Sequence, residues 1–313
     1  MNRSPVTIQR LEHRDVAALE RHVAFEREHG IARFDAEGLR AWLPTVEAAL
    51  LLAAVDERGE LAGCATASRL AVFPGSVQLN AFCRLGEPEV LRLLTDEVAR
   101  WEAPTRAREL LAHVSGPTEA AEEAWLAAGF ERVATRSRVE RAVSDLDRTL
   151  PTEVPAGLRV AALRDRPDLV DAALRVWNRS HADIPTVLPF AALDLAGWRR
   201  TLALADGEPY PPGLLVAVDD EGRVVGVGCL ALTFGSTSVA DHRFTGVERG
   251  WRGRGLARAL KIELIRWAAA NGVARLRAST DSGNASMLAV NARLGYVESF
   301  RVVMFRRALR PGD

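Results

Sequence analysis

Residues Asp241 to Arg258 read D-H-R-F-T-G-V-E-R-G-W-R-G-R-G-L-A-R, and this stretch decides the fold. A short strand-like segment ends at Val247. A glycine-rich turn follows, Arg252-Gly253-Arg254-Gly255-Leu256-Ala257, and an apolar helical pattern then runs through Lys261 to Ala270. Glycine lets a backbone approach a ligand closely. The first amides of a helix have no partner inside the helix, and together with the helix dipole they attract an anion. Strand, glycine turn and helix in that order make a device for holding phosphate.

Three such devices can be compared with the residues. The P-loop needs G-x-x-x-x-G-K-[ST], but the only lysine, Lys261, lies within the helical pattern. The dinucleotide fingerprint G-x-G-x-x-G/A fails at its last place, because Gly253 and Gly255 are followed by Arg258. The third pattern is [Q/R]-x-x-G-x-[G/A] with a valine five residues before it, and Arg252, Gly255, Ala257 and Val247 fill it. It resembles the coenzyme A loop of the GCN5-related N-acetyltransferase (GNAT) superfamily. The plainer reading of the same residues is an Arg-Gly turn that only starts a helix. Downstream, Asn284, Met287, Asn291 and Leu294-Gly295-Tyr296 resemble the family's second signature, N-x-x-[AM]-x-x-x-[YN]-x-x-L-G-[FY]. Asn284 and Asn291 stand two turns apart on one helical face, and Gly295 is placed to cap that helix. The resemblance is strongest over residues 220 to 300.

The resemblance implies a site. The backbone of Thr245, Gly246 and Val247 would pair with the pantetheine arm of acetyl-CoA, and one amide there would polarise the thioester carbonyl. The amides of Arg252, Gly253, Arg254, Gly255, Leu256 and Ala257 would cradle the pyrophosphate, with Asn284, Met287 and Asn291 beside them. In one branch of the family a glutamate six residues before the loop valine is the base. Asp241 occupies that place as a shorter carboxylate, so a water relay is expected. Strand alternation puts Asp241 on the face of Val247, with His242 opposite. His181 and Asp183 are the alternatives, in a segment that lines the acceptor site in the family. Asn291 stands where many members carry tyrosine. It cannot donate a proton to a leaving thiolate, so no acid is assigned. Tyr296 is expected in the core.

Composition narrows the rest. The chain has 313 residues, which suggests two domains. It is 48% hydrophobic, 26% charged and formally neutral, so no global field argues for nucleic acid or a membrane surface. Cys64, Cys83 and Cys229 form no C-x-x-C pair, and the histidines show no metal-ligand spacing. No metal is expected. No signal core or bilayer-length apolar run is present, and a cytoplasmic setting is expected. The expected acceptor is a primary amine on a small molecule; a coenzyme A-binding or partner-binding module without catalysis, or a protein acetyltransferase, is the alternative.

The order of elements repeats. Asp56-Glu-Arg-Gly59 and Asp219-Asp-Glu-Gly222 both signal hairpins, and Gly129-Phe130 matches Gly295-Tyr296. The fold expected is α+β, two GNAT-like domains over 1–145 and 157–313, each a mixed, mostly antiparallel twisted sheet flanked by helices. Ser144 to Gly157 is the linker. The first copy's loop, Cys83-Arg-Leu-Gly86-Glu87-Pro88-Glu89, puts carboxylates where a pyrophosphate would sit, which opposes binding. The first domain is therefore read as one that has lost coenzyme A.

Overall fold

The computed structural model describes residues 6–31, 34–84, 87–102, 107–187, 190–205 and 207–309. Two compact units emerge. The first comprises Met1–Arg136, Val187–Ala191 and Phe300–Asp313; the second comprises Ser137–Thr186 and Ala192–Ser299.

In chain order the first copy runs β1 (Thr7–Arg10), α1 (Val16–His29), α2 (Ala36–Trp42), β2 (Ala48–Val55), β3 (Leu61–Arg69), β4 (Ser76–Cys83), α3 (Pro88–Glu102), β5 (Glu109–Ser115), α4 (Glu119–Ala127) and β6 (Glu131–Ala142). The second runs β7 (Leu158–Ala162), α5 (Val170–Ala182), α6 (Leu195–Thr201), β8 (Leu214–Asp219), β9 (Val224–Leu232), β10 (Val239–Val247), α7 (Leu256–Ala270), β11 (Arg275–Asp281), α8 (Ala285–Arg293) and β12 (Val297–Ala308). The duplication extends to strand pairing. β1 to β4 pair antiparallel in sequence and β4 pairs parallel with β5. β7 to β10 repeat this, and β10 pairs parallel with β11. The sheets are mixed and mostly antiparallel, as expected.

Local chemistry sets these elements. Asp15, Asp35, Thr118 and Asp194 each cap a helix by accepting an amide hydrogen bond three residues on. The two hairpins turn alike. Asp56 Oδ1 accepts from the amides of Arg58 and Glu60, and Asp219 Oδ1 accepts from that of Arg223. The second helix of this half, α6, is short. Asp194 starts it, and Ala203 ends it in the left-handed region at φ 61°. α5 begins only at Val170, because Pro167 opens a 3-10 turn ahead of it.

The units divide the chain at other places than the expected boundaries, 1–145 and 157–313, and Val187–Ala191 falls with the first. The last strand of the chain completes the sheet of the first unit, where β12 pairs antiparallel with β5 from Val302 opposite Ser115 to Ala308 opposite Glu109. The second half of β6 belongs to the second unit, beside β11. A repeat read from sequence cannot reveal such an exchange of closing strands.

In the second unit the core lies between the sheet and α7. Leu256, Leu260, Leu264, Ile265 and Ala268 are buried there with Leu230, Ala240 and Leu276. Burying a leucine fully contributes roughly 1.5–3 kcal/mol, so this stripe fixes α7, and the turn before it, against β9 and β10.

Candidate functional site: a gap between two parallel strands

β10 carries a bulge. Asp241 lies opposite Ala231 and His242 opposite Leu230, but Phe244 lies opposite Cys229, so Arg243 is an extra residue. A bulge inverts the side-chain alternation beyond it. The expectation that Asp241 and Val247 share a face is thereby corrected, while His242 lies on the face opposite Asp241, as expected. Val247 joins the core against α7, on the side where His242 Nε2 meets the Tyr296 hydroxyl at 2.5 Å. Phe244 turns to the other side and stacks on His181, centroids 4.6 Å apart, and on Trp177 at 4.2 Å, both from α5. α5 sits so close there that a Cβ on Gly246 would be 2.5 Å from Ser180 Cβ.

The bulge also parts β10 from β11. Their parallel pairing runs from Val239 opposite Arg275 to His242 opposite Ala278 and stops. Beyond it, among the described residues, one edge of β10 has no strand paired to it. The Glu248 amide donates to Val225 on β9, so by alternation the backbone groups of Thr245 and Val247 face the gap.

The glycine turn closes one end of this gap. Residues Arg249–Trp251 form a 3-10 turn, Gly253 and Gly255 have φ of 73° and 86°, and α7 begins at Leu256. Only glycine adopts such φ values at little cost. No side chain caps the helix. Among the described residues, the amides of Gly253, Arg254, Gly255, Leu256 and Ala257 donate to no protein group. Residues 252–255 are exposed. The two arginines are otherwise occupied. Arg252 Nε donates to the Val247 carbonyl at 2.8 Å and Nη2 to Asp183 Oδ2 at 2.6 Å. Arg254 lies over the Trp251 ring, 4.9 Å from its centre. The anion-attracting groups of the turn are its backbone amides.

The second signature divides into two roles. Asn284 caps α8, accepting from the Met287 amide at 3.2 Å. Asn291 is buried; its Nδ2 donates to Thr280 Oγ1 at 3.2 Å, while its Oδ1 has no partner. Met287 is half-buried. Gly295 ends α8 at φ 78°, and Tyr296 lies in the core.

The three candidate bases meet different fates. Asp183 is clamped by Arg249 and Arg252, whose hydrogen bonds hold its carboxyl well below the usual range. Asp241 opposes its own burial by pairing with Arg138, 2.5 Å from Oδ1, and Arg277, 3.1 Å from Oδ2, and by accepting from Thr233 at 2.7 Å. Burial raises its pKa, but the guanidiniums of Arg138 and Arg277 and the Thr233 hydroxyl prevail and bring it to about 2. A carboxylate held that low is a poor acceptor for an ammonium proton. Burial pushes His181 down to about 4 and keeps it neutral.

Sequence reasoning missed Arg138, Thr233 and Arg277, which converge on Asp241 from β6, the end of β9 and β11. Their only signal was alternation on strands whose neighbours were not known. It also missed a buried group in the first unit. His22, Glu26 and Cys64 bring potential metal donors within 4.8 Å of one another, α1 supplying two and β3 the third. His22 Nε2 there bonds Thr66 Oγ1 at 2.9 Å and lies 3.3 Å from Glu26. Histidine spacing alone could not reveal a donor set completed by a strand.

In the first unit the parallel pairing of β4 and β5 likewise stops after four residues, at Leu79 opposite Ala112. The expected loop there falls partly on Leu85 and Gly86, which lie outside the described residues. α3 starts with Pro88, which has no amide hydrogen, and Glu89, which pairs with Arg92. That helix start offers less to an anion than the start of α7.

Comparisons with known proteins bear on this geometry. Residues 177–296 match the model of the acetyltransferase (GNAT) family. No curated protein sequence matches the chain. A GCN5-related N-acetyltransferase from Sphaerobacter thermophilus is similar in structure, with TM-score 0.74, 20% identity, and coverage of 98% of this chain and 97% of that one. A tandem GNAT protein of the clavulanic acid biosynthesis pathway has TM-score 0.72 and 19% identity, covering 99% and 100%. Saccharomyces cerevisiae N-myristoyltransferase with bound myristoyl-CoA has TM-score 0.64 and 11% identity, covering 98% and 83%.

Proposed function

Starting from a chain that carries a GNAT-family domain over residues 177–296 within a tandem GNAT fold, we propose that it transfers an acetyl group from acetyl-CoA to a primary amine of a small molecule. The observation that carries this reading is the row of amides from Gly253 to Ala257, unpartnered among the described residues, which runs from the exposed turn at Gly253–Gly255 into the start of α7 beside the open edge of β10.

The amides of the turn fit a diphosphate, and the backbone of Thr245 and Val247 fits an extended amide-bearing arm laid along the strand edge. Acetyl-CoA supplies an activated acyl carbon: the acceptor nitrogen bonds to it, the carbon–sulfur bond breaks, and CoA leaves as the thiolate. An outward amide of Thr245 or Val247 stabilises the carbonyl oxygen as it gains charge. Asp241 serves as an anchor for Arg138 and Arg277 rather than as the base, and the ammonium proton passes to water on the acceptor side, where Phe244 and neutral His181 pack. Asn291 lies near the leaving-group side as a hydrogen-bonding group, without the capacity to donate a proton.

Isothermal calorimetry with acetyl-CoA tests the reading directly. The wild type should bind and Gly255→Glu should lose about a hundredfold or more in affinity, since a carboxylate and a strained φ enter the cradle together. Free-thiol release across an amine panel then separates catalysis from binding alone. No binding by the wild type, or equal binding by the variant, would end the proposal; binding without thiol release would leave a coenzyme A-binding module.

A further inference from the structure

The face of β10 that carries Asp241 holds more positive charge than the structure neutralises. Asp241 is one carboxylate between two guanidiniums, Arg138 and Arg277, and the three side chains retain only 16%, 21% and 22% exposure. Arg277 also donates to Thr233 Oγ1 at 2.7 Å. A third guanidinium, Arg243, is the extra residue of the bulge, two residues on from Asp241, and it lies over Phe234, the neighbour of the Thr233 that bonds Asp241 and Arg277. Its charge bears on Cys229, on that same face, and it lies 5.1 Å from the centre of the Phe234 ring, with Nε buried and without a partner. Glu140 and Arg275 nearby pair with each other and leave the balance unchanged. Among the described residues, three cations thus share a single anion, where β10 and β11 part. Half-buried guanidiniums in excess of their counter-ions form a subsite for a planar anion, which they can grip in bidentate fashion.

We propose that the acceptor is an amine that also bears a carboxylate, and that Arg243, with Arg138 and Arg277 held in place by Asp241, binds that carboxylate. This rests on the acyl-transfer reading and names its substrate class. A neutral amine, or a cationic polyamine, would leave the excess uncompensated or would add to it. The bulge therefore has two uses: it opens the gap for the thioester and swings a guanidinium towards the acceptor.

The experiment compares the common α-amino acids and β-alanine, each beside its carboxamide, as acceptors in thiol release with acetyl-CoA. It also compares their binding to the CoA-loaded protein by calorimetry. The proposal expects at least one acid to exceed its amide by about tenfold or more in kcat/KM. Arg243→Gln, which leaves the Asp241 network untouched, should raise KM for that acid by about tenfold. KM for acetyl-CoA, the reaction of the amide and the melting temperature should stay in place. Acids and amides that react equally, amides that react better, or an Arg243→Gln variant that affects both alike would overturn the subsite while leaving acyl transfer intact. Thiol release with no acceptor at all, together with no preference for acid over amide in binding, would remove both.

Discussion

The ammonium of Lys261 lies 5.2 Å from the centre of the Tyr296 ring, inside the second unit, where the lysine is 2% exposed. Among the described residues no carboxylate pairs with it. Asp147, on the 3-10 helix Asp145–Thr149 packed against α7, is already engaged by Arg141. The other titratable groups there are His242 on β10 and Tyr296 itself. Burial alone pushes Lys261 down from 10.5 to about 7. Burial, then the charge of Lys261, pushes His242 well below its ordinary value, and burial raises the Tyr296 hydroxyl.

This makes stability depend on pH with a definite sign. Between about 7 and 10.5 the unfolded chain keeps the lysine proton and the folded chain does not. Stability from this group therefore rises with pH across that window, by at most about 1.4 kcal/mol per pH unit. Below pH 7 both states carry the proton and the penalty is constant. Lys261→Met removes a buried amine and keeps the stem. Chemical denaturation should show the variant more stable at pH 6.5 by on the order of a few kcal/mol, with the gap closing towards pH 10. A constant gap would refute the assigned origin.

Gly246 has no room for a side chain. An added Cβ would sit 2.5 Å from Ser180 Cβ and 2.6 Å from the Phe244 ring. Gly246→Ala should cost about 1–3 kcal/mol by overpacking, lowering the denaturation midpoint. It should also cut acetyl transfer more than the stability loss explains, because relief requires α5 or β10 to move at the gap. Full activity with a lowered midpoint would separate the gap from the chemistry.

How far the sequence revealed this site depends on where each residue's partners come from. Gly253, Gly255 and the start of α7 are local devices, set by φ and by consecutive amides, and the spacing discloses them. The hairpins capped by Asp56 and Asp219 are local too. Asn284 was grouped with Asn291 by spacing, yet capping claims the first and burial beside Thr280 the second. The face of Asp241 was misjudged because one inserted residue, Arg243, reverses a period of two, and nothing in the local pattern marks the insertion. The arginines at 138 and 277 lie 103 residues before and 36 after Asp241, and only strand order brings them together. The closing strands hid for the same reason, since β6 and β12 read alike in either copy.

Asp183 joins α5 to the turn. It accepts from Arg249 and Arg252, and Arg252 reaches on to the Val247 carbonyl. Hydrogen bonds from Arg249 first and Arg252 next keep its folded pKa below 3.8. Its contribution is therefore present above pH 4 and is lost only as pH falls through the lower, folded value. Because both guanidiniums that hold it are exposed, the effect on stability should be small. Asp183→Asn should leave the melting temperature nearly unchanged at pH 7. It should raise KM for acetyl-CoA by about two- to fivefold, through looser placement of the turn. A stability loss without a change in KM would make the clamp a fold element only.

Asn291 offers a sharper division between packing and binding. Its Nδ2 bond to Thr280 is modest, about 1 kcal/mol, whereas a buried carbonyl oxygen without a partner costs about 1–3 kcal/mol and is retained here at Oδ1. Asn291→Leu keeps the branched shape, removes the orphan and forfeits the Thr280 bond. The two changes nearly cancel, so thermal melting without ligand should move by only about 2–4 °C in either direction. If Oδ1 accepts a hydrogen bond from an amide of the bound acyl donor, the same variant loses about tenfold in acetyl-CoA affinity by calorimetry, the usual worth of one such bond in a buried site. Unchanged affinity beside unchanged melting would show that the asparagine only fills space where α8 meets β11.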